Sequence, residues 1–319
     1  MPSTSVHLII DTDCGIDDAL ALMAALSARE VDVVAITCVS GNTTLKNVVS
    51  NVSKVLRVCK REEVPFYAGC DAPLSRENIF GSEFHGKDGL GHCPKEFPEG
   101  AQAQKGMHAS RALVEMAKNR KGELTLVMIG PCTNLAVAYH IDPNVMAYFK
   151  KIVVMGGNVQ GRGNVIPGAE FNFASDPEAA HILVEHSQCP VVLVPWETVT
   201  TNWISWEFYT ELIGGSTAKS RFLQAICKYT EQYYQCKYTV GHHGYELGDF
   251  LAVLVAIRPD CVTRSLKRRI AVELKGEHTL GQVVQAWTKS MLPKVTKHTE
   301  IVLEFDMTIV RENLTAMVQ

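Results

Sequence analysis

Short apolar runs alternate along this chain with longer stretches in which apolar residues recur at helical spacing. The runs have the length and β-branched content of buried strands, and they occupy residues 6–10, 31–37, 65–68, 124–129, 151–155 and 191–194. Helical patterns lie between them, beginning near Asp17 and near Asp176 and covering residues 45–59 and 107–119. Strands that alternate with helices predict an α/β fold whose mainly parallel, mixed sheet is flanked by helices.

The rest of the chain has weaker patterns. Residues 71–105 lack regular spacing, and loops of this length in compact domains are usually functional or mobile. Residues 203–238 are rich in aromatic side chains and mostly helical in pattern. Strand patterns at 269–274 and 282–287 precede a helix near 308–317. Because no repeat, low-complexity run or linker interrupts the chain, we expect residues 1–319 to form a single domain.

Composition narrows the classes of function. The chain has 319 residues, 46% of them hydrophobic, and a formal net charge of −3. It therefore lacks the basic surface of a nucleic-acid-binding protein, and no apolar run approaches the length that crosses a bilayer. The first residues have neither the basic nor the apolar region of a signal peptide, so we expect a cytoplasmic protein. The ten cysteines include no Cys-x-x-Cys pair, which argues against a zinc ribbon and favours reduced, mostly buried thiols.

An acidic turn follows the first predicted strand. Asp11, Asp13, Asp17 and Asp18 place four carboxylates within eight residues, and Gly15 marks a turn before the helix. Like charges this close repel each other, and burying an unpaired carboxylate is costly. Carboxylate oxygens are the ligands that hard cations such as Ca²⁺ or Mg²⁺ prefer. The turn is therefore a candidate metal or catalytic site.

Three other interpretations explain the acidic turn less well. Helix capping suits Asp17 and Asp18, but it does not explain the two aspartates at the strand end. An EF-hand loop requires Gly at its sixth position and Glu at its twelfth, where this chain has Ile16 and Leu22. A phosphatase of the Asp-x-Asp-x-Thr type would have Thr or Val where Gly15 or Ile16 stands, and it leaves the second aspartate pair unexplained.

Further candidate residues follow other predicted strands. Asn42 comes after the strand at 31–37, and Thr133 lies in a Gly-Pro-Cys-Thr-Asn-Leu-Ala turn after the strand at 124–129. Met155 closes the strand at 151–155. Ligands of open α/β sheets bind at the carboxyl ends of the strands, where we expect these residues to meet the acidic turn. The structural alternatives are a turn or helix cap for Asn42 and a helix cap for Thr133.

The segment Asp-Thr-Asp-Cys-Gly-Ile-Asp-Asp-Ala, from Asp11 to Ala19, resembles the amino-terminal signature of the nucleoside hydrolases, the inosine-uridine preferring family. Most members have Pro where this chain has Cys14, and a subgroup has Cys. The resemblance extends in order over nearly the whole chain, through His85-Gly86-Lys87-Asp88-Gly89-Leu90-Gly91, the turn that contains Thr133, Asn164 with Glu170-Phe171-Asn172, and Asp249. It implies a Rossmann-like nucleoside hydrolase fold and a homodimer or homotetramer.

The resemblance also implies roles for residues in these motifs. Calcium would be held by Asp13, Asp18, Asp249 and the backbone carbonyl of Thr133, and Asp13 would activate a calcium-bound water. Asn42 is assigned to the catalytic site with Asp13. The residues expected to contact the substrate are Asp17, His85, Met155, Asn164, Glu170, Asn172 and Asp249. A loop-stabilising hydrogen bond is the alternative for His85, and solvation is the alternative for the polar loop residues.

One position departs from the family pattern. Many members carry His immediately before the last aspartate ligand, where it helps to protonate the departing base, but this chain has Gly248. The acid that activates the leaving group is therefore unassigned. Nearby candidates are His242, His243, Tyr245 and Glu246, and the candidates for stacking on a base are Trp196 and Trp203. A surface or packing role is the alternative for each of them.

These features together predict a Ca²⁺-dependent enzyme that hydrolyses the N-glycosidic bond of ribonucleosides to free base and ribose. Its partner is expected to be a small-molecule nucleoside, without nucleic acid or membrane. Three alternatives stay open: a hydrolase of another N-riboside such as nicotinamide riboside, a non-catalytic protein that binds nucleosides or ribose, and a divalent-metal phosphohydrolase.

Overall fold

The computed structural model describes residues 5–237 and 244–319, with the backbone alone for residues 235–237. The strands in these ranges are β1 (Val6–Thr12), β2 (Val31–Cys38), β3 (Phe66–Ala68), β4 (Leu124–Met128), β5 (Lys151–Met155), β6 (Val191–Val194), β7 (Val262–Arg268), β8 (Ile270–Val272), β9 (Val283–Gln285) and β10 (Thr299–Phe305). The six strands predicted from the apolar runs of the first two hundred residues are all present.

Helices connect the strands. They are α1 (Ile16–Ser27), α2 (Leu45–Val58), α3 (Ser82–His85), α4 (Ala109–Asn119), α5 (Thr133–Ile141), α6 (Phe171–Ser175), α7 (Pro177–His186), α8 (Trp196–Thr201), α9 (Trp206–Ile213), α10 (Ala218–Lys237), α11 (Asp249–Ile257) and α12 (Met307–Val318), with short 3-10 turns at Val145–Tyr148 and Pro259–Cys261. The helix α3 is the regular element within the long irregular stretch at 71–105.

The main sheet has the strand order β3-β2-β1-β4-β5-β6-β10-β7 within the described residues. Neighbouring strands are parallel except for β10 and β7, which pair antiparallel. The predicted fold class, α/β with a mainly parallel mixed sheet, is confirmed. The direction of winding reverses between β1 and β4, and the carboxyl edge at such a switch point is where α/β sheets bind ligands.

Helices cover both faces of the sheet. Ile10 and Val153 face one layer, which contains α1, α11 and α12, whereas Ile9 and Ile152 face the other, which contains α4, α5 and α7. Alternate residues of a strand point to opposite faces, so a strand buried on both sides is apolar throughout. This is why the central strands could be recognised as continuous apolar runs.

Two strands of the main sheet were missed in the sequence. The strand β7 is an edge strand with four exposed residues, and β10 carries Glu300 and Glu304 among its apolar residues. A strand with one solvated side does not form the apolar run that marked the central strands. The strand patterns predicted at 269–274 and 282–287 correspond to β8 and β9, which form a separate antiparallel pair.

Two expectations from composition can be compared with the fold. No helix within the described ranges combines the length and the apolar character needed to span a bilayer.

The nine cysteines with described side chains are free thiols, and five of them are buried. Burial of most of these thiols thus agrees with the expectation, and their reduced state stays a prediction.

Candidate active site

The acidic turn is a sharp connection between β1 and α1. Cys14 takes a positive φ of 30°, an unusual conformation for a residue other than glycine, and α1 begins two residues later. The Thr12 hydroxyl accepts the N–H of Cys14 at 3.0 Å and donates to Asp18 Oδ1 at 2.6 Å. The N–H of Gly15 donates to Asp18 Oδ2 at 2.8 Å, so Asp18 does cap the helix, as one alternative proposed. These two hydrogen bonds also fix the orientation of the Asp18 carboxylate.

Asp13 is fully buried at the end of β1 and is surrounded by backbone. Its Oδ2 accepts the N–H of Asn42 at 2.7 Å. A Cβ at Gly41 would lie 2.1 Å from Asp13 Oδ2, and a Cβ at Gly130 would lie 3.0 Å from Asp13 Oδ1. The turns after β2 and β4 therefore close onto this carboxylate because both have glycine at the contact. Asp13 lies where three strands end together, as predicted.

Asn42 holds the two buried acids with both its backbone and its side chain. In addition to the bond from its N–H to Asp13, its Nδ2 donates to Asp18 Oδ2 at 3.1 Å. The cap of α2 is Thr44, whose side chain accepts the N–H of Asn47. The helix-cap alternative for Asn42 is therefore wrong, and Asn42 is part of the acidic cluster.

Asp11 lies in β1, two residues before Asp13, and supports the acidic cluster from there. Its Oδ2 accepts hydrogen bonds from Thr37 Oγ1 and from Asn134 Nδ2, the latter at 2.8 Å. Asn134 also donates to the carbonyl of Cys38 at 3.0 Å. These contacts tie β1, β2 and the start of α5 together beneath the site. Burial raises the pKa of Asp11 to about 7.

Three carboxylates converge at the amino ends of α1 and α11. One carboxylate oxygen from each of Asp17, Asp18 and Asp249 lies within 4.8 Å of the others. Burial raises the pKa of Asp249 well above its usual range, and the neighbouring Asp17 adds to the shift. Burial and Asp17 together raise the pKa of Asp18 to about 6. A positive charge at this point would remove the repulsion that these shifts express.

The donor set fits a hard divalent cation. Asp13 Oδ1 is buried and has no hydrogen-bond partner among the described residues, and such an atom needs a ligand or a proton. Burial raises the pKa of Asp13 well above its usual range, and repulsion from Asp18 adds to the shift. All of these donors are carboxylate oxygens, which suit Ca²⁺ or Mg²⁺ and not a thiophilic metal. Asp17, expected only as a substrate contact, belongs to this group as well.

Thr133 is the remaining predicted calcium ligand. It is the first residue of α5 and is buried, and its hydroxyl donates to Asp176 Oδ2 at 2.7 Å. The cap position of α5 is held by Cys132, so the interpretation of Thr133 as the helix cap is wrong. The role predicted for Thr133 concerns its backbone carbonyl and stays a prediction.

A cavity of about 710 Å³ opens beside the acidic cluster, within the size range of small-molecule sites. Every residue predicted to contact substrate lines it, together with Asn42: Asp17, His85, Met155, Asn164, Glu170, Asn172 and Asp249. Asp13, Asp18 and Thr133 are buried and are not lining residues. The structure thus brings the predicted residues of six separate chain segments to one cavity.

His85 contributes to both the fold and the cavity. Its Nδ1 accepts the N–H of Ile16 at 3.0 Å, which fixes the start of α1 and leaves the ring proton on Nε2. Burial lowers the pKa of His85, so the ring is neutral, although Asp17 Oδ1 lies 3.8 Å from Nδ1. The loop-stabilising hydrogen bond is present, and the ring also lines the cavity.

Glu170 and Asn172 are anchored to the strand ends. The Glu170 carboxylate accepts the N–H groups of Gly157, Asn172 and Phe173, and it caps the short helix α6. Burial raises the pKa of Glu170 to about 7. Asn172 Nδ2 donates to the carbonyl of Met155 at 3.2 Å. Glu170 and Asn172 are buried and fixed, which contradicts the alternative that they are merely solvated, whereas Asn164 is exposed and that alternative stays open for it.

Aromatic rings form much of the remaining wall, and sequence reasoning singled out only Trp196 and Tyr245 among them. Phe84 of α3 meets Tyr233 and Tyr234 of α10 edge to face, with centroids 5.1 and 5.7 Å apart. The other aromatic lining residues are Phe80, Phe171, Trp196 and Tyr245. The aromatic-rich segment at 203–238 was noted, but helical spacing alone does not indicate which ring faces the acidic turn.

The candidates for leaving-group activation have different positions. Tyr245 and Glu246 line the cavity, as does the candidate stacking residue Trp196, whereas Trp203 is not a lining residue. His242 and His243 lie outside the described residues. Gly248 also lines the cavity and has a φ of +47°.

Comparisons with known proteins agree with this architecture. A family profile described as inosine-uridine preferring nucleoside hydrolase matches residues 8–312. The chain is 31% identical over 302 residues to the inosine-uridine preferring nucleoside hydrolase of Crithidia fasciculata, covering 94% of this chain and 93% of that protein. It is 33% identical over 285 residues to the probable uridine nucleosidase 1 of Oryza sativa subsp. japonica, covering 88% and 86% of the two proteins.

A solved structure gives the same result at the level of the fold. The structure titled Inosine-Guanosine Nucleoside Hydrolase superposes with a TM-score of 0.89 at 29% identity, covering 98% of each chain. The family match spans the acidic turn, the strand-end residues and the α11 aspartate that form the site described above. The chain therefore belongs to the inosine-uridine preferring nucleoside hydrolases, and it is an N-glycosyl hydrolase.

Proposed function

We propose that this protein hydrolyses the N-glycosidic bond of ribonucleosides to free base and ribose, with Ca²⁺ held by its acidic cluster. The observation that carries the proposal is the cavity itself. Carboxylate and amide side chains on its wall suit a sugar with several hydroxyls, and aromatic rings on its wall suit a flat base. Within this wall, the half-buried Asp17 and the buried Asp249 bring their carboxylates close to that of the buried Asp18.

The names of relatives support a nucleoside substrate without specifying the base. They name inosine and uridine for one relative, uridine for another, and inosine and guanosine for a solved structure. Ribose is common to all of these nucleosides. The ribose-binding part of the site would therefore be shared, and the aromatic wall formed by α3 and α10 would set the choice of base.

Hydrolysis requires a water on one face of the sugar and a base that leaves from C1′. The bond breaks through an oxocarbenium-like transition state, as in glycoside hydrolysis. Asp13 would take a proton from the attacking water as the water oxygen bonds to C1′, a role worth about 10²–10⁴-fold in rate. Asn42 holds Asp13 in position through the 2.7 Å bond from its N–H.

The metal would be held by Asp13, Asp18 and Asp249, with the Thr133 carbonyl as the predicted backbone ligand. When bound, Ca²⁺ supplies positive charge that acidifies water and binds vicinal sugar hydroxyls. The chain's own residues would orient the ribose. Asp17 on α1 and Asn164, Glu170 and Asn172 across the cavity would hydrogen-bond its hydroxyls.

A site built on hydroxyl contacts should discriminate strongly against deoxyribose. Removing one substrate hydroxyl would leave buried polar groups without a partner, which typically costs about 10⁴–10⁵-fold in specificity. This separates a ribonucleoside hydrolase from a protein that recognises the base alone. The predicted homodimer or homotetramer and the cytoplasmic location stay predictions that light scattering and cell fractionation would test.

The proposal is tested by measuring sugar release from inosine, uridine, 2′-deoxyuridine and nicotinamide riboside, with Ca²⁺ or with EDTA. Release of ribose from inosine or uridine only with Ca²⁺ is the expected result. Release from nicotinamide riboside alone would favour the other N-riboside. Calorimetric binding of inosine without turnover would indicate a binding protein, and phosphate release from 4-nitrophenyl phosphate would indicate a phosphohydrolase.

A further inference from the structure

Asp17 fills the space that a side chain at position 248 would occupy. A Cβ placed on Gly248 would lie 2.0 Å from Asp17 Oδ2 and 2.9 Å from Asp17 Cγ. The φ of +47° at Gly248 is also a conformation that side-chain-bearing residues rarely adopt. The chain therefore offers no proton donor at this position, and none can be added while Asp17 keeps its place.

Four other ionisable groups of the cavity are already engaged or solvated. Nδ1 of the neutral His85 accepts a backbone N–H, and the Glu170 carboxylate accepts three. The Tyr245 hydroxyl lies 3.6 Å from Cys227 Sγ in the core, and Glu83 is exposed to solvent. None of these groups has the combination of a carried proton, partial burial and contact with the cavity.

Glu246 has this combination. It lines the cavity, and its Oε2 accepts the Tyr234 hydroxyl at 3.3 Å. The preceding residue, Tyr245, forms a β-bridge with Ile204, which fixes the backbone beside it. Tyr234 is only 3% exposed and is held by the rings of Phe84, Trp206 and Tyr245. The carboxyl group is thus held at the aromatic wall.

Burial raises the pKa of Glu246 to about 7, and the carboxylate of Asp17 adds to this effect while the hydrogen bond from Tyr234 opposes it. A carboxyl with such a pKa carries a proton in a large fraction of molecules near neutral pH. General acids work best when their pKa lies near the working pH. The other ionisable side chains that line the same cavity are Glu83, His85, Glu170, Tyr233, Tyr245 and Asp249.

We propose that Glu246 is the acid that protonates the departing base, in place of a residue at position 248. This inference rests on the proposed hydrolase function. As the C1′–N bond breaks, its electron pair goes to the base, and the Glu246 proton moves to a nitrogen or oxygen of that base. The attacking water bonds to C1′ and gives its proton to Asp13. Solvent then returns a proton to Glu246 and removes one from Asp13, so the enzyme is restored.

The test compares two leaving groups in the Glu246→Gln variant. Inosine needs a proton on its base, whereas 4-nitrophenyl β-D-ribofuranoside releases a stable phenolate that needs none. We expect kcat for inosine to fall by about 10²–10⁴-fold and kcat for the nitrophenyl riboside to change by less than about threefold. Glu211→Gln makes the same chemical change at an exposed position of α9 and should alter neither rate.

Each other outcome overturns the inference. Equal losses with both substrates would mean that Glu246 has a structural role, and unchanged rates would mean that it donates no proton. A selective loss in Tyr233→Phe but not in Glu246→Gln would assign the donor to that tyrosine. If Glu246→Gln does not fold by circular dichroism, Glu246→Asp, which keeps the charge but retracts the carboxyl, should give the same selective loss. A wild-type enzyme that cleaves neither riboside would instead refute the proposed function.

Discussion

The backbone N–H of Asn42 donates to Asp13 Oδ2 over 2.7 Å, joining residues that are 29 positions apart in the chain. The bond connects the ends of β1 and β2, and the side chain of Asn42 extends the connection to Asp18. Two buried acids are thus held in one position by a single residue. This arrangement keeps together two carboxylates that repel each other.

Asp13→Asn should separate activity from stability. It removes the proposed base, so we expect kcat for inosine to fall by at least about 10²–10⁴-fold. It also removes a buried charge that repels Asp18, so the melting temperature in EDTA should stay the same or rise. Steady-state kinetics and thermal unfolding measure the two effects. The control is Asp32→Asn at an exposed position of β2, and near-normal turnover in the Asp13 variant would exclude Asp13 from the mechanism.

Gly41→Ala should disturb the site without changing any ionisable group. The added Cβ would lie 2.1 Å from Asp13 Oδ2 and 2.8 Å from a side-chain carbon of Pro131, so Asp13 must move. A displacement of about 1 Å in a catalytic group can cost about 10²-fold in rate. Gly100→Ala is the matched control, because its Cβ would meet the flexible end of Glu62. Equal kcat values for the two variants would contradict the tight contact.

Gly248→Ala should weaken ribose binding and not improve catalysis. Its methyl group would displace Asp17, the proposed ribose contact, so KM for inosine should rise. Gly122→Ala has a similar positive φ of +76° but nothing within 4 Å of the added Cβ, so it measures backbone strain alone. Strain of this kind costs on the order of 1–3 kcal/mol in stability. A KM that is unchanged in Gly248→Ala would argue against a role for Asp17 in binding.

The metal-free protein should lose stability as the pH rises from about 4.5 to 7. Burial raises the pKa of Glu170 from 4.5 to about 7, so over this range the folded state binds more protons than the unfolded chain. The free energy of unfolding therefore falls with pH, by on the order of 3 kcal/mol for a group shifted this far. Urea unfolding in EDTA at several pH values measures the slope. Glu170→Gln should make the slope shallower, because the other buried acids keep their contribution, and an unchanged slope would show that Glu170 does not contribute.

The sequence predicted best those parts of the fold that follow from local patterns of apolar and polar residues. The central strands are covered on both faces, so their apolar runs were visible, and parallel strands place their carboxyl ends at one edge. Asp13, Asn42 and Met155 could therefore be assigned to one site from the sequence. The edge strand β7 was missed because its solvated side chains resemble those of a loop.

Contacts between distant segments could not be derived in this way. The hydrogen bond from Tyr234 to Glu246 and the contact between Asp17 and Gly248 depend on the rotation of α10 and on the path of the chain before α11. No local pattern encodes either. The absence of a histidine at position 248 was visible in the sequence, but its physical reason, the carboxylate that occupies the space, was not.

The most direct test of the central claim is a crystal structure of the protein grown with Ca²⁺ and examined by anomalous scattering. We predict one ion about 2.3–2.6 Å from carboxylate oxygens of Asp13, Asp18 and Asp249, at the wall of the 710 Å³ cavity. An ion bound elsewhere, or none near these three residues at saturating Ca²⁺, would contradict the proposal that the acidic cluster is a calcium site.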